Sequence, residues 1–153
     1  MMSRLLLLLP VLLLTGCVIN VSANEDDEPD YLISSSREDN GAPYSDAVRA
    51  GDTLYLSGKL GIDPQTGELA DGGIQAETLR ALQNISRTLD DFDSSMDELV
   101  KCTVFLADVA EWGEMNDVYR TFFRNPPARS AVGVGGLPLG ARVEIECIAY
   151  VGY

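Results

Sequence analysis

A helical stripe flanked by alternating segments limits this chain to folds that combine helices with a sheet. From Ile74 to Phe92, apolar residues and one threonine recur at spacings of four, four, three, four and three, which places them on one face of an amphipathic helix. Over 142–147, apolar residues instead alternate with charged ones, which is the period of a half-buried strand. A chain with both periods in separate segments requires a helical layer and a sheet layer.

The remaining segments extend this pattern. Gly51-Asp52 separates two short β-rich runs, as a hairpin turn does. A second helical pattern over 111–123 ends at Asn125-Pro126-Pro127, because proline cannot continue a helix. The predicted strands are 46–50, 53–57, 100–106, 129–134 and 141–151. Their order, β-β-α-β-α-β-β, predicts an α+β two-layer sandwich with both helices on one face of a mixed sheet.

The N-terminus carries the features of a lipoprotein export signal. Arg4 precedes an apolar run over 5–14, which is shorter than the about 20 residues needed to cross a bilayer core. The following Leu14-Thr15-Gly16-Cys17 resembles the bacterial lipobox, which predicts a signal peptide over 1–16 and lipidation of Cys17. Such an anchor implies the bacterial cell envelope. Val18 at the next position suggests the outer membrane, facing the periplasm, in a Gram-negative cell.

An acidic segment follows this signal. Between residues 17 and 43, seven acidic residues accompany one basic residue, with few large apolar groups. A segment of this composition does not bury enough surface to order itself. We therefore expect residues 17–40 to form a flexible tether and residues 41–153 to form one folded domain.

Composition excludes several kinds of partner and site. The chain has 153 residues and a formal net charge of −13, so its acidic surface repels phosphate backbones and nucleic acid is not an expected partner. It has no histidine, which excludes a Ser-His-Asp triad, a Cys-His nucleophile and His-ligated zinc. Its three cysteines lack a CxxC spacing, which disfavours structural zinc. We expect no metal site.

Charged residues inside the last two strands mark a candidate site. Arg142, Glu144 and Glu146 share one face of the final strand, whereas the intervening residues are apolar. If the last two strands pair across the 135–140 loop, Arg129 lies near Glu144 or Glu146. Two interpretations remain open from spacing alone: a structural ion pair, which is the commoner case, or a pocket in which the arginine binds a substrate carboxylate.

Two cysteines fall on predicted strands. Cys147 has the parity of a core residue and Cys102 lies in a β-rich run. A disulfide between them requires their Cα atoms to lie within about 7 Å. We expect two free, buried thiols that pack as small apolar residues.

Five segments resemble, in order and spacing, the Rid (YjgF-like) family of reactive enamine and imine deaminases. They span the chain from about residue 41: Gly41-Ala42-Pro43-Tyr44-Ser45, Gly51 to Gly58, Asp63 to Glu68, Val100 to Leu106, and Pro127-Ala128-Arg129-Ser130 with Val143-Glu144-Ile145-Glu146. The resemblance implies a chorismate-mutase-like fold, a homotrimer with active sites at its interfaces, and no cofactor. It also implies hydrolysis of 2-imino acids, the tautomers of enamines such as 2-aminoacrylate, to 2-keto acids and ammonia.

The resemblance also implies roles for individual residues. Arg129 takes the place of the family's substrate-binding arginine, and Glu144 that of the acidic residue that positions or activates water. The implied substrate-binding residues are Tyr44, Ser57, Gly58, Asn116 and Ala131, the last through its backbone N–H.

The chain departs from the family at three of its positions. Ala131 stands where some members have cysteine, and Asp46 and Lys59 stand where glutamine is customary, so the pocket charge and the choice of substrate can differ. A non-catalytic lipoprotein that binds keto acids or other small carboxylates is the alternative function. A purely structural lipoprotein is a third. Some family members are described as nucleases or translation inhibitors, which the acidic charge and the export signal disfavour here.

Overall fold

The computed structural model describes residues 28–34 and 41–152. In these residues the chain forms two α-helices and seven strands. The helices are α1 (Gly73–Asp91) and α2 (Trp112–Tyr119). The strands are β1 (Asp30–Leu32), β2 (Ala47–Ala50), β3 (Thr53–Leu56), β4 (Lys59–Leu60), β5 (Leu99–Leu106), β6 (Ala128–Gly133) and β7 (Val143–Tyr150).

The strands form one mixed sheet in the order β1-β2-β3-β7-β5-β6, and β4 continues the β3 side of β7. Only β5 and β6 are parallel among the described pairs, as expected because α2 connects them as a crossover. Both helices pack on one face of the sheet, where buried residues of α1, α2, β3, β5 and β7 form a single core. The predicted α+β two-layer sandwich is confirmed.

The predicted stripe becomes the buried face of α1. Ile74, Leu82, Ile85 and Leu89 are buried in the core. Thr78, the polar member of the stripe, is also buried, and its hydroxyl donates to the Ile74 carbonyl at 2.6 Å. A hydroxyl satisfied in this way can sit in an apolar face at little cost.

Strand β1 corrects the predicted tether boundary. Asp30–Leu32 pairs with β2 at the edge of the sheet, and Ser34 is buried. The assignment of 30–34 to a flexible tether is therefore wrong. The segment is ordered by backbone hydrogen bonds to the free edge of β2, which composition does not reveal. The predicted signal peptide over 1–16 and the predicted lipidation site Cys17 lie outside the described residues. No helix in the described part of the chain is long and apolar enough to cross a membrane.

The predicted pairing of the last two strands is wrong. Strand β7 pairs with β5 in antiparallel orientation, while β6 pairs with the other side of β5. The parallel crossover through α2 places β6 at the outer edge, so the 134–142 connection passes over the end of β5 rather than forming a hairpin.

The predicted free thiols are also wrong. Cys102 of β5 lies directly opposite Cys147 of β7, and the two form a disulfide with a Cα–Cα distance of 4.1 Å. Both residues are buried in the core. Because antiparallel neighbours face the same side of a sheet, the core parity of Cys147 applies to Cys102 as well and brings the two sulfurs together.

We expect this disulfide to stabilise the domain. The bridge closes a loop of 45 residues, so Cys102→Ala/Cys147→Ala should lower the free energy of unfolding by about 2–4 kcal/mol, measured by denaturant titration. Mass spectrometry after alkylation of the unreduced, denatured protein should leave both cysteines unmodified. Alkylation of both would show that the bridge does not form.

Candidate active site

A cavity of about 760 Å³ opens beside the junction of β3 and β4. Four of the residues implied by the family resemblance line it, namely Tyr44, Ser57, Gly58 and Glu144. They come from two loops and from β7, so the sheet rather than sequence proximity brings them together.

A bulge places the Glu144 carboxylate against Gly58. Tyr55 pairs with Ile148 and Lys59 pairs with Ile145, so the β3–β4 segment contains one residue more than β7 between these pairs. A Cβ atom added at Gly58 would lie 2.1 Å from Glu144 Oε1. A side chain at this position would displace the Glu144 carboxylate, so glycine permits the carboxylate its observed position.

Hydrogen bonds fix Ser57 beside this carboxylate. The Ser57 hydroxyl donates to the Ser45 carbonyl at 2.6 Å, and its backbone N–H donates to the Asp46 carbonyl at 3.0 Å. Its proton is directed to the backbone, so the hydroxyl oxygen remains available as an acceptor.

Glu144 has the electrostatic character of an acid–base group. It is half-buried, and burial raises the pKa of its carboxyl, with the negative charge of Glu146 acting in the same direction. A carboxyl whose pKa moves towards neutrality is better suited to accept and return a proton.

Arg129 lies elsewhere, on the helix side of the sheet. It pairs with the core residue Cys102 in the β5–β6 ladder, and its guanidinium stands 4.5 Å from the ring centroid of Tyr119. Tyr119 is 4% exposed and packs against Phe123 at 4.7 Å between ring centroids. A cation held over an aromatic face is both stabilised and oriented.

Tyr119 falls within the helical pattern predicted over 111–123, but that pattern does not indicate its contact with Arg129. Its buried hydroxyl has no hydrogen-bond partner among the described residues. Burial raises the pKa of Tyr119 to about 12, while the nearby Arg129 lowers it. Ala131 lies two residues further along β6 and packs against the core, and Asn116 is half-buried on α2.

Arg129 and Glu144 are not neighbours within one chain. Strand β5 separates their strands, and Glu144 lies three residues along β7 from Cys147, which is level with Arg129. Two strand spacings and three residues of rise correspond to a Cα separation of roughly 14 Å. The two side chains also project from opposite faces, as the burial alternation of β7 shows. The proximity expected if the last two strands pair therefore does not occur within one chain.

Asp46 and Lys59, the two departures from customary glutamine, form an ion pair in the cavity wall. Lys59 Nζ lies 2.8 Å from Asp46 Oδ1, and both side chains are largely buried. In the sequence, this contact is indicated by opposite charges at the two positions where the family customarily has glutamine.

The family model described as Endoribonuclease L-PSP matches residues 35–151. The chain belongs to this family, the Rid (YjgF-like) family. Among curated Rid relatives, the 2-iminobutanoate/2-iminopropanoate deaminase of Mus musculus is 44% identical over 111 residues, covering 72% of this chain and 82% of the relative. The deaminase of the same name from Homo sapiens is 41% identical and covers 72% and 81%.

Solved Rid structures share the fold. The yeast protein YEO7 superposes with a TM-score of 0.76 at 36% identity, covering 82% of this chain and all of the other. Escherichia coli TdcF, solved with bound serine, gives 0.74 at 30% identity and covers 80% and 100%. The sheet and helices described above are thus the chorismate-mutase-like α+β fold of this family.

The raised pKa of Glu144 predicts a pH-dependent effect of Glu144→Gln on stability. The folded protein holds this proton to a higher pH than the unfolded chain, so the contribution of Glu144 to stability is lost as pH rises from the ordinary value of 4.5 through the raised pKa. Relative to wild type, Glu144→Gln should therefore gain unfolding free energy over this range and level off above it.

Chemical denaturation from pH 4 upwards, in steps of about half a unit, measures this difference. Glu68→Gln, the same change in an exposed turn, controls for the substitution itself. A Glu144→Gln difference that stays constant across the range would contradict the raised pKa.

Proposed function

We propose that this protein is a hydrolytic deaminase that converts reactive 2-imino acids and their enamine tautomers to 2-keto acids and ammonia. The observation that carries the proposal is the half-buried Glu144 carboxyl, with its raised pKa, held against Gly58 and beside Ser57 in a ligand-sized cavity. The deaminase names of relatives at 41–46% identity support the same reaction.

The reaction requires only one proton carrier. An imine carbon is electrophilic, and protonation of its nitrogen makes it more so. Glu144 accepts a proton from water as the water oxygen bonds to the carbon of the protonated imine, and passes this proton to the nitrogen of the resulting carbinolamine. As the C–N bond breaks and ammonia leaves, Glu144 takes the remaining hydroxyl proton while the C=O bond forms, and it releases that proton to the solvent that had protonated the imine. Water and imine are consumed, keto acid and ammonia are formed, and Glu144 ends in its initial state.

In this proposal Arg129 binds the carboxylate of the substrate. Its guanidinium fork suits a carboxylate, and the Tyr119 ring beneath it limits its orientations. The Ala131 backbone N–H offers a further donor to the same carboxylate, and Asn116 and Tyr44 complete the substrate contacts. Fixing the carboxylate orients the imine carbon towards the activated water.

The separation of Arg129 from Glu144 supports a site shared between subunits of a homotrimer. The two groups reach one substrate only if they come from different chains. The sheet face opposite the helices offers a surface for such assembly, since Tyr55, Val132 and Tyr150 on it are each more than two-fifths exposed. A heterologous contact that rotates successive subunits by a third of a turn closes into a trimeric ring.

A non-catalytic binder of small carboxylates is the second candidate. The bound serine of the Escherichia coli relative is the observation that favours it, because it shows an amino acid held by that protein without naming a reaction. The same cavity and Arg129 would suffice for such a role, whereas Glu144 would be dispensable. The net charge of −13 argues against the nuclease role that the family description names.

We further propose that the domain is held at the cell envelope by a lipid on Cys17. The Leu14-Thr15-Gly16-Cys17 motif is the basis of this proposal. The buried Cys102–Cys147 disulfide supports it independently, since disulfides persist in oxidising compartments outside the cytosol.

Substitutions at Arg129 and Glu144 should separate binding of the substrate carboxylate from proton transfer. Arg129→Lys keeps the charge but loses the fork, so kcat/KM for imine hydrolysis should fall about ten- to a hundredfold, and Arg129→Ala should lower it further. Glu144→Gln should lower kcat by about a hundredfold or more while keto-acid binding, measured by calorimetry, stays largely intact.

Co-expression of Arg129→Ala with Glu144→Gln tests the shared site. In mixed trimers, about a quarter of the interfaces pair an intact Arg129 with an intact Glu144, so activity should recover to about a quarter of wild type. Failure to recover would contradict the shared site. Unchanged activity and keto-acid binding in Arg129→Ala would show that Arg129 is not part of the site. Keto-acid binding by wild type without hydrolysis of any imine would favour the non-catalytic binder of small carboxylates.

Cys17→Ser should release the protein from membranes or block its processing. A serine cannot accept the thioether lipid, so the acyl chains that provide stable anchoring are lost. Membrane fractionation and the mass of the mature N-terminus provide the measurement, with Cys102→Ala/Cys147→Ala as a control for loss of cysteine alone. Unchanged fractionation and mass would contradict the anchor.

A further inference from the structure

The cavity extends beyond Glu144 to a charged wall. Lys59 of β4 and Arg87 of α1 line it on this side, together with Asp46 and Asp91. A volume of about 760 Å³ greatly exceeds the space that an imino acid with a methyl side chain occupies, so the wall lies where a longer side chain would extend.

We propose that Lys59 and the wall around it form a subsite for the substrate's side chain, and that this subsite selects 2-imino acids whose side chain carries an oxygen acceptor. The inference rests on the proposed deaminase function and specifies its substrate class.

The hydrogen bonding of Lys59 indicates what this subsite can bind. An ammonium has three N–H donors, and the described residues supply an acceptor for one of them, Asp46 Oδ1 at 2.8 Å. The Lys59 side chain is only 16% exposed and lines the cavity, so an acceptor for the other two donors would lie inside the cavity. A largely buried donor without a partner is costly, and an acceptor inside the cavity would remove this cost.

The acidic residues of the wall are engaged by protein donors. Asp46 accepts from Lys59 through Oδ1 and from the Ser34 backbone N–H through Oδ2 at 3.1 Å. Asp91 accepts from the Ser34 hydroxyl. The acids therefore neutralise and orient the wall, while Lys59 retains unused donors and Arg87 adds a second cation. This balance favours an uncharged acceptor such as a hydroxyl or an amide over a cationic side chain.

A site of this kind discriminates strongly. Apolar pockets distinguish poorly between a methyl and a hydroxyl of equal size, whereas a site built to hydrogen-bond a substrate oxygen rejects the analogue that lacks it. The isosteric pair is the imine of homoserine, with a terminal hydroxyl, and the imine of norvaline, with a terminal methyl. In wild type, kcat/KM should favour the homoserine imine by about tenfold or more.

The experiment forms both imines in situ with an amino-acid oxidase and compares wild type with Lys59→Met/Asp46→Asn. This double variant removes both charges together, so neither is left buried and unpaired, and asparagine keeps an oxygen for the Ser34 N–H. The homoserine-to-norvaline ratio of kcat/KM should fall about tenfold. Circular dichroism checks that the variant folds.

The matched control is Arg80→Met/Asp63→Asn. It makes the same kind of change at a partly buried ion pair of 3.1 Å outside this cavity. The homoserine-to-norvaline ratio of kcat/KM in this control should equal the ratio in wild type. A general effect of charge removal on folding or assembly would change both values of kcat/KM equally, because it does not depend on the side chain of the substrate.

The outcomes distinguish this inference from the proposed function. A homoserine-to-norvaline ratio of kcat/KM at or below one in wild type would overturn the subsite, and so would a ratio that Lys59→Met/Asp46→Asn leaves unchanged. In both cases the proposed deaminase function would still hold. If wild type hydrolyses neither imine, the deaminase proposal fails, and calorimetry with 4-hydroxy-2-oxobutanoate and 2-oxopentanoate then decides the subsite. The subsite is supported if wild type binds 4-hydroxy-2-oxobutanoate more tightly than 2-oxopentanoate and the double variant loses this preference. Equal binding of the two keto acids by wild type overturns the subsite.

Discussion

The alternation of side chains along β7 is the constraint on which the rest of the structure depends. Val143, Ile145, Cys147 and Ala149 enter the core, and the residues between them face the other side of the sheet. Strand β7 has partners on both edges, so a slip of one residue would turn the core positions outwards and bring Glu144 and Glu146 into the core. Core packing thus fixes the position of the candidate acid–base group, and the Cys102–Cys147 bridge holds the same register covalently.

The candidate site keeps polar groups in places where stability alone would not. Glu144 is partly removed from water with another carboxylate two residues away, the Tyr119 hydroxyl is buried without a partner among the described residues, and Lys59 is largely buried. Each of these carries a free-energy cost. Such costs are typical of functional sites, and they occur here both around the Glu144 cavity and beside Arg129.

Local patterns in the sequence were sufficient to predict the helices and most strands, but not to predict which strands pair with one another. The α1 stripe and the core parity of β7 follow from periodicity, and each is found in the structure. The second helix is found as well, but α2 ends at Tyr119 rather than at residue 123. The pairing of β6 with β5 follows from a parallel crossover, a non-local choice that the short 135–140 loop concealed. The Cys102–Cys147 disulfide was missed for the same reason, since it requires knowing that β5 and β7 are neighbours. Strand β1 forms because β2 has a free edge, not because of its own composition.

The placement of Arg129 on the opposite face also explains the direction in which the pKa of Glu144 is shifted. Two opposing influences act on such a carboxyl, because burial raises its pKa and a nearby guanidinium lowers it. In the single chain burial prevails, since no guanidinium is among the causes that shift Glu144. An arginine delivered by a neighbouring subunit would reverse this balance if it remained unpaired, but a substrate carboxylate bound to its fork neutralises it. The proposed assembly would then lower the pKa of Glu144 in the empty site and restore it when substrate binds, so that proton transfer to the departing nitrogen is favoured only with substrate in place.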